Sequence, residues 1–370
     1  MKKLLRTISR ILVGLVFVFS GFVKGVDPLG TAYKIEDYFN AYGMDWAMPL
    51  ALFLSITLCM VEFVLGYTLV LNLKLKQLSW LLLAMMSFFT LLTLYDALYS
   101  PVPDCGCFGD AITITNWQTF YKNVVLMVFV LFIFISKEKF KSIFKPKVEI
   151  VLILIGIIGF SWFSIYQYRH LPMIDFLEWK VGTDLTPDNE QGDEIFLIYK
   201  NTKTGETREY LSPNYPWNDS VWISEWEFVD QRVVEHSGIQ LHNLRFEDLS
   251  GSDLTDQIIH KTDYQLFIVT WNVNKFPTKA ISQIKSLVEN VTLRGSSIQG
   301  LTSSLSEDIE QFQAKTGIDL VFYNSDGIVL KTMIRSNPGI VLIKDGEILA
   351  KWHYNDCPDI AELERKFPGF

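Results

Sequence analysis

The chain has 370 residues, 49% of which are hydrophobic, and this composition is too apolar for an ordinary soluble protein of that length. Residues 1–170 carry 15 Lys and Arg against 10 Asp and Glu, whereas residues 171–370 carry 18 against 31. The acidic second half argues against a nucleic-acid partner, and the lysines of the first half lie mainly at the ends of apolar segments.

Five apolar segments in the first half approach the length of about 20 residues that a membrane-spanning helix needs. They cover residues 8–26, 47–71, 79–99, 120–136 and 150–168. The first follows MKKLLR, as in a signal peptide, but it lacks a small-residue cleavage site and four more segments follow it. We therefore predict five retained spans: a four-span membrane domain in residues 1–145 and a fifth, linking helix in residues 146–170.

Lysine and arginine in the short loops predict the orientation, because these residues accumulate on the cytoplasmic side. They cluster at residues 2–10, 74–76 and 137–147, whereas the intervening loops hold only Lys24, Lys34 and Lys122. The N-terminus is therefore expected in the cytoplasm. Residues 170–370, and the loop between the third and fourth spans, are expected on the opposite, outer side.

That outer loop, PVPDCGCFGD at residues 101–110, is called the CGC loop and holds two of the four cysteines. A disulfide needs Cα atoms about 4.4–6.8 Å apart, so Cys105 and Cys107 can pair only if the chain turns, which Gly106 permits. Such a small ring is strained, and strained exposed disulfides are the labile, exchanging kind. Redox exchange is the leading interpretation, with a structural disulfide or idle thiols as the alternative.

Metal binding is a third interpretation of the loop, in which Asp104 and Asp110 would complete the ligand set. Two cysteines and two carboxylates make a mixed set of ligands, and no histidine lies nearby. We therefore expect no metal, and expect the two carboxylates to support the loop instead.

The two remaining cysteines differ in their expected surroundings. Cys59 lies 12 residues into the second span, about 18 Å deep at ~1.5 Å per residue, so the outer loop would have to dip far to meet it. We expect it to be a small buried apolar residue. Cys357 is expected on the outer side, where it either exchanges with the loop or remains a lone thiol in an oxidising compartment.

Charged residues within or at the edges of the spans are costly and are usually paired or functional, and Lys24, Glu62 and Asp96 are the candidates here. Counting residues from the span ends places Lys24 and Asp96 at a similar outer depth, so that either the two pair or each reaches toward the membrane interface separately. The same count places Glu62 below the midplane with no cation at its level. Glu62 is therefore the leading intramembrane candidate for function.

Residues 171–237 are predicted to form a β-rich extracytoplasmic region. Residues 194–211 indicate a hairpin around Thr204-Gly205, and residues 212–228 are rich in Trp, Pro and Tyr, most of which we expect in a core. From residue 238 the pattern alternates. Strands are predicted at YQLFIVTW, SSIQGLTSS and DLVFYNS, helices at PTKAISQIKSLVEN, SEDIEQFQAKTG and PDIAELERKF, and a hairpin at Asp345-Gly346.

This order of elements in residues 238–370 resembles a thioredoxin-like domain, which implies an α/β fold. Pro338 matches the cis-proline beside that family's active site, so we expect a cis peptide bond there. LHNLRFEDLSGSDLT is similar to the extra N-terminal hairpin of the peroxiredoxin and TlpA-type branch. The position of the family's Cys-x-x-Cys reads Trp271-Asn272-Val273-Asn274, without a thiol, so the domain is expected to dock or position rather than to catalyse.

Residues 5–140 resemble the DoxX-like superfamily through GLVFVFSGFVKGVDPLGTAYKIEDYF, the glutamate in the second span and DCGCFGD after the third. Within it, Cys-Gly-Cys-Phe-Gly is most similar to the methylamine-utilisation MauE proteins, which are implicated in maturing a periplasmic, disulfide-rich amine dehydrogenase subunit. The resemblance implies a bacterial inner-membrane protein with residues 170–370 in the periplasm. It also implies a disulfide-handling role for Cys105 and Cys107.

The resulting hypothesis is a membrane-bound thiol–disulfide oxidoreductase, or an accessory factor, that assists the assembly of an envelope client protein. No cofactor motif is evident, and a quinone is the expected acceptor if electrons leave through the lipid bilayer. The rival hypothesis is a non-enzymatic scaffold or subunit in which the CGC loop is structural. Solute transport with Glu62 as proton carrier is disfavoured, because the five spans show no internal repeat.

Overall fold

The computed structural model describes residues 2–186, 194–211, 216, 219–234 and 244–370 of the protein. Six helices form the first half: α1 (Lys2–Val26), α2 (Pro28–Ala41), α3 (Ala51–Leu71), α4 (Leu75–Tyr99), α5 (Asn116–Ile135) and α6 (Pro146–Arg169). All but α2 are long and apolar enough to cross a membrane. The five predicted spans are thus confirmed as apolar helices, with ends that differ by a few residues.

Helices α1 and α3 pack along a seam of glycines. A Cβ atom on Gly21 would lie 2.6 Å from the backbone nitrogen of Phe63, and one on Gly66 would lie 2.5 Å from that of Val18. Real Cβ atoms do not approach so closely, so glycine is what lets the two backbones meet here. This seam fixes the height of α1 relative to α3.

Helix α2 follows α1 after a single residue. It was not predicted, since residues 27–46 were expected to form a loop between the first two spans. Asp27 caps the helix by accepting the backbone N–H of Gly30 at 2.9 Å, and Pro28 occupies the first helical position. The hydroxyl of Ser55 donates to the carbonyl of Pro28 at 2.7 Å, which ties α2 to α3. The Asp-Pro pair is the sequence signal for this helix.

The segment at residues 100–115 joins α4 to α5 and is held at both ends. Ser100 takes a left-handed conformation, with φ of 46°, where α4 ends. Thr115 and Gln118 form a capping box at the start of α5, and the side-chain amide of Asn116 donates to the carbonyl of Val102 at 3.2 Å. Between these anchors the chain turns back into the bundle.

A small antiparallel sheet follows the last span. It consists of β1 (Glu194–Asn201), β2 (Thr207–Leu211) and β3 (Trp226–Val234) in the order β2-β1-β3, with α7 (Ser220–Glu225) preceding β3. The predicted hairpin is confirmed, and Gly205 takes a φ of 75° at its turn. Residues 212–215, 217 and 218 of the Trp-rich segment, and residues 235–243, lie outside the described residues.

The C-terminal part is an α/β unit. Its elements are α8 (Thr255–Ile259), β4 (Gln265–Thr270), α9 (Thr278–Leu293), β5 (Ser297–Thr302), α10 (Ser306–Thr316), β6 (Phe322–Asn324), α11 (Gly327–Met333), β7 (Gly339–Lys344), β8 (Glu347–His353) and α12 (Ile360–Lys366). The sheet has the order β6-β5-β4-β7-β8, in which β4, β5 and β6 are parallel and β7 and β8 antiparallel.

Two cores cover the two faces of this sheet. Alternate residues of β4 point to opposite sides, so Leu266 and Ile268 pack with α9, α10 and α12, whereas Phe267 and Val269 pack with α8 and α11. All six residues of β4 are buried, as expected for a central strand covered on both faces.

Most of the elements predicted in this unit are confirmed, and two expectations change. The hairpin expected from LHNLRFEDLSGSDLT is reduced, within its described residues, to single bridges of Glu247 with Asp253 and Asn324. Helix α11, capped by Asp326, was not predicted. The peptide bond between Asn337 and Pro338 is cis, as expected.

The α/β unit is fastened to the end of the last span. Asn355 donates its side-chain amide to the carbonyl of Arg169 at 2.6 Å, and His170 lies 2.7 Å from a carboxylate oxygen of Asp356. Lys351, which is largely buried, pairs with Asp175 at 2.6 Å. These contacts hold β8 and the residues after it close to the membrane helices.

Candidate functional site

The CGC loop makes two tight turns. Gly106 and Gly109 take φ values of 61° and 55°, in the left-handed region that suits glycine. The carboxylate of Asp104 accepts the N–H of Gly106 at 2.9 Å, and the N–H of Gly109 donates to the carbonyl of Gly106 at 3.0 Å. The loop therefore folds on itself and brings the two cysteines to the same side.

The sulfur atoms of Cys105 and Cys107 lie 2.8 Å apart, and both side chains are partly exposed. Both residues are free thiols in the structure. A disulfide bond is about 2.05 Å long, so the pair needs only a small movement to close. The turn that the sequence analysis requires at Gly106 is present.

The two thiols differ in acidity. A hydrogen bond from Cys105 lowers the pKa of Cys107 to about 6, and the positive charges of Lys122 and Lys24 act in the same direction against burial. The same hydrogen bond, together with burial, raises the pKa of Cys105. Cys107 is therefore the more acidic thiol of the pair.

Beneath the loop lies a buried ion pair between Lys24 of α1 and Glu62 of α3, with each residue 4% exposed. The hydroxyl of Ser20 lies 2.9 Å from a carboxylate oxygen of Glu62 and donates to the carbonyl of Cys107 at 2.8 Å. One serine thus connects the ion pair to the backbone of the reactive cysteine.

This arrangement corrects two expectations. Lys24 pairs with Glu62 and not with Asp96, and the CGC loop does reach the depth of Glu62. Counting residues from span ends misplaces these groups because it assumes that every span ends at the same depth in the membrane. Here α2 covers the end of α1, and the CGC loop folds into the bundle. Irregular backbone is tolerated at such depth where protein surrounds it.

Asp96 lies on α4 at the edge of the same region and is buried. One of its carboxylate oxygens accepts the phenol hydroxyl of Tyr38 at 2.7 Å, and the other has no hydrogen-bond partner among the described residues. The partner of Asp96 is thus a tyrosine of α2, a helix that the sequence analysis does not foresee.

The two loop carboxylates are both engaged in ion pairs. Asp104 pairs with Lys34 of α2 at 2.7 Å. Asp110 pairs at 2.7 Å with Arg335, which also binds Asp27 at 2.7 Å and is 6% exposed. Within the described residues no group of three His, Cys, Asp or Glu could hold a metal ion. Both carboxylates support the loop in this geometry.

Arg335 is the site residue that sequence reasoning missed. It lies three residues before Pro338, in the α/β unit, and it bridges the N-cap of α2 and the CGC loop. Burial would lower its pKa, but the carboxylates of Asp27 and Asp110 raise it above the ordinary value, so the guanidinium stays charged. No local pattern marks this arginine, because its partners lie more than 200 residues away.

The edge of the α/β unit at the end of β4 lies near α2. Trp271 follows β4, and its ring lies 4.8 Å from the amino group of Lys331. The same amino group lies 4.7 Å from the ring of Tyr33 on α2. This edge therefore contacts the membrane domain of its own chain.

The remaining cysteines lie in separate environments. Cys59 is fully buried on α3, as expected of a small apolar residue. Cys357 is partly exposed, its sulfur lies 3.8 Å from the carbonyl of Pro358, and burial raises its pKa to about 11. A thiol that keeps its proton is a poor nucleophile, so Cys357 is less suited to exchange than Cys107.

A cavity of about 290 Å³ opens beside the two cysteines, and helices α1 to α5 all contribute to its wall. Its wall is mostly aliphatic and aromatic, and both sulfur-bearing residues contribute to it. Its polar members include Lys24, Lys122 and Tyr38. The reactive pair thus lies in the wall of an apolar chamber within the membrane domain.

Residues 1–136 match the model of a family described as methylamine utilisation protein MauE. The match covers the first four membrane spans, including the CGC loop, and confirms the resemblance inferred for this part of the chain. No curated protein matches the chain.

Proposed function

We propose, from the MauE-family membrane domain of residues 1–136, that this protein exchanges disulfides with an envelope client protein through Cys105 and Cys107. The proposal sets the protein in a bacterial inner membrane, with the CGC loop and residues 170–370 on the periplasmic side. The observation that carries it is the 2.8 Å separation of two unequal thiols, held by one loop above a buried ion pair.

The difference in pKa between the two thiols assigns which sulfur is attacked and which one leaves. When the pair is oxidised, a client thiolate attacks the sulfur of Cys105, because Cys107 has the lower pKa and is the better leaving group. A client–Cys105 disulfide forms and Cys107 leaves as the thiolate. The client's second thiolate then attacks the client sulfur of this mixed disulfide and displaces Cys105, which takes up a proton. The client has then gained a disulfide, and the pair has gained two electrons and is reduced.

The α/β unit is proposed to be a thioredoxin-like docking module. Its strand order, with the three parallel strands β6, β5 and β4 followed by the antiparallel hairpin of β7 and β8, supports the resemblance. The position of the family's cysteine pair is occupied by Trp271–Asn274, and the amino group of Lys331 links the ring of Trp271 to the ring of Tyr33 on α2. The unit therefore contributes binding surface and position, and the thiol chemistry stays with the loop.

The test is to trap the mixed disulfide in cells. In Cys107→Ala, the thiolate of Cys105 can attack the disulfide of an oxidised client, which is the reverse of the exchange above and releases a client thiolate. Because no Cys107 is present to resolve the product, the client–Cys105 disulfide should accumulate and should disappear on reduction. All variants would carry Cys357→Ala, which removes the other partly exposed thiol.

Cys105→Ala should accumulate several-fold less of this species, and the double Ala variant should show none. The absence of any reducible adduct in both single variants, with the proteins correctly inserted, would contradict disulfide exchange at this loop.

A non-enzymatic scaffold is the second candidate, favoured by the number of ion pairs that tie the loop to α2 and to the α/β unit. In that case Cys105 and Cys107 form a permanent bond. Acid quenching followed by alkylation of whole cells distinguishes the two: a mixture of reduced and oxidised loop supports exchange, whereas a loop that is always oxidised supports the scaffold.

A further inference from the structure

The chamber beside Cys105 and Cys107 has the size and lining of a small-molecule site. Its volume of about 290 Å³ lies just below the ~300–1,000 Å³ that ligand pockets span. Phe89, Leu92 and Leu126 give it flat apolar walls, while the two cysteines lie at one side. A ligand here would have to be compact, largely apolar and in contact with the thiols.

The mouth of the chamber faces the lipid side of the bundle. Phe88 of α4 and Tyr42, directly after α2, line the chamber but are 61% and 42% exposed. Phe88 lies in the middle of a helix that is long and apolar enough to span the membrane. A molecule dissolved in the bilayer can therefore enter sideways between α2 and α4, whereas a water-soluble molecule would have to cross apolar wall.

Three amino groups line the chamber, from Lys24 on α1, Lys34 on α2 and Lys122 on α5. The first two are paired with Glu62 and Asp104. Lys122 instead lies 4.4 Å from the ring of Phe108 and has no carboxylate within ion-pair distance in the described part of the chain. Such a group favours a ligand that carries or develops negative charge on an oxygen.

We propose that this chamber binds a quinone dissolved in the bilayer, which reoxidises the Cys105–Cys107 pair. The proposal rests on the exchange function above and names its electron acceptor. Among lipid-soluble molecules, a quinone combines a flat ring that fits apolar walls with carbonyl oxygens that become negative on reduction. Lys122 is assigned the role of orienting one of these oxygens.

The reaction balances without a further reagent. The thiolate of Cys107 and the thiol of Cys105 become joined by an S–S bond, and two electrons pass to the quinone ring. The two protons formerly held by the thiols, one of them already released to solvent, complete the two hydroxyl groups of the quinol. Each quinone reduced therefore consumes two thiols.

The experiment uses the full chain in lipid nanodiscs, reduced, freed of reductant and mixed anaerobically with ubiquinone-1. Quinone absorbance and free thiols are followed together. The expected result is loss of two thiols per quinone reduced, and no reduction by Cys105→Ala or Cys107→Ala.

Two pairs of variants at adjacent positions distinguish quinone binding in the chamber from a nonspecific effect of a bulky residue on the lipid-facing surface. Leu92→Trp and Val16→Trp place an indole in the chamber, whereas Leu91→Trp and Leu15→Trp place it on neighbouring exposed positions. The chamber variants should reduce ubiquinone-1 at least tenfold more slowly than their neighbours. Equal rates in both members of each pair would overturn the site.

A second reagent keeps this proposal distinct from the one on which it rests. The reduced pair is also mixed with a water-soluble aromatic disulfide, which tests thiol exchange without the chamber. Normal exchange with the soluble disulfide but no quinone reduction would refute the quinone site alone. Failure of both reactions would refute the exchange function as well.

Discussion

Cys105 and Cys107 are separated by one glycine, yet they carry different chemistry. The hydrogen bond between the two thiols lowers the pKa of Cys107 and raises that of Cys105, so Cys107 loses its proton more easily. Lys122 and Lys24 lie on the side of Cys107 and reinforce the difference. The hydrogen bond between the two thiols therefore makes Cys107, and not Cys105, the better leaving group in disulfide exchange.

This asymmetry predicts the pH dependence of alkylation. The rate at Cys107 should rise with pH through a midpoint of about 6, because only the thiolate reacts and the folded pKa is lowered. Replacing Cys105 by Ala removes the hydrogen-bond donor and should move the midpoint upward, toward the ordinary value of about 8.5. Peptide mass spectrometry after timed iodoacetamide labelling measures both. An unchanged midpoint in the variant would contradict the assigned cause.

At the scale of elements, the site depends on the glycine seam between α1 and α3. Close contact at Gly21 and Gly66 sets the register in which Lys24 meets Glu62. Helix α2 then closes the end of α1 and supplies Lys34 and the Tyr38 hydroxyl. The ion pair is therefore a consequence of helix packing, and its members cannot be moved independently of the seam.

We predict that Gly66→Leu lowers the melting temperature of the detergent-solubilised protein by several degrees, because a Cβ there would lie 2.5 Å from a backbone atom of α1. Gly159→Leu is the matched control, since no atom of another described helix lies within 4 Å of its Cβ position on α6. Thermal unfolding followed by circular dichroism compares the two. Equal melting temperatures would show that the helices do not depend on this contact.

On the scale of the whole molecule, Arg335 joins the two halves of the chain. It is buried between Asp27 at the start of α2 and Asp110 beside the CGC loop. Removing one partner from a buried charge pair leaves the others uncompensated, at a cost of roughly 3–5 kcal/mol. The α/β unit thereby braces the loop that carries the cysteines.

Replacing Arg335 by Ala should loosen this brace while leaving each half folded. The expected signs are a several-fold faster alkylation of Cys107 and faster hydrogen exchange in residues 100–115. Arg294→Ala provides the control, because it removes only a half-exposed ion pair with Glu364. Exchange rates that match in the two variants would mean that the α/β unit does not brace the loop.

The sequence by itself determined the five apolar helices, the α/β region and the family of the membrane domain, because these follow from local patterns: apolar run length, strand alternation, and DCGCFGD. It also predicted the turn at Gly106 that brings Cys105 and Cys107 together. The partners of Lys24, Asp96 and Asp110 were decided by the tertiary structure alone. Ion pairs form between side chains that packing brings to the same depth, and neither the depth of α2 nor the inward fold of the loop is encoded in residue counts from a span end.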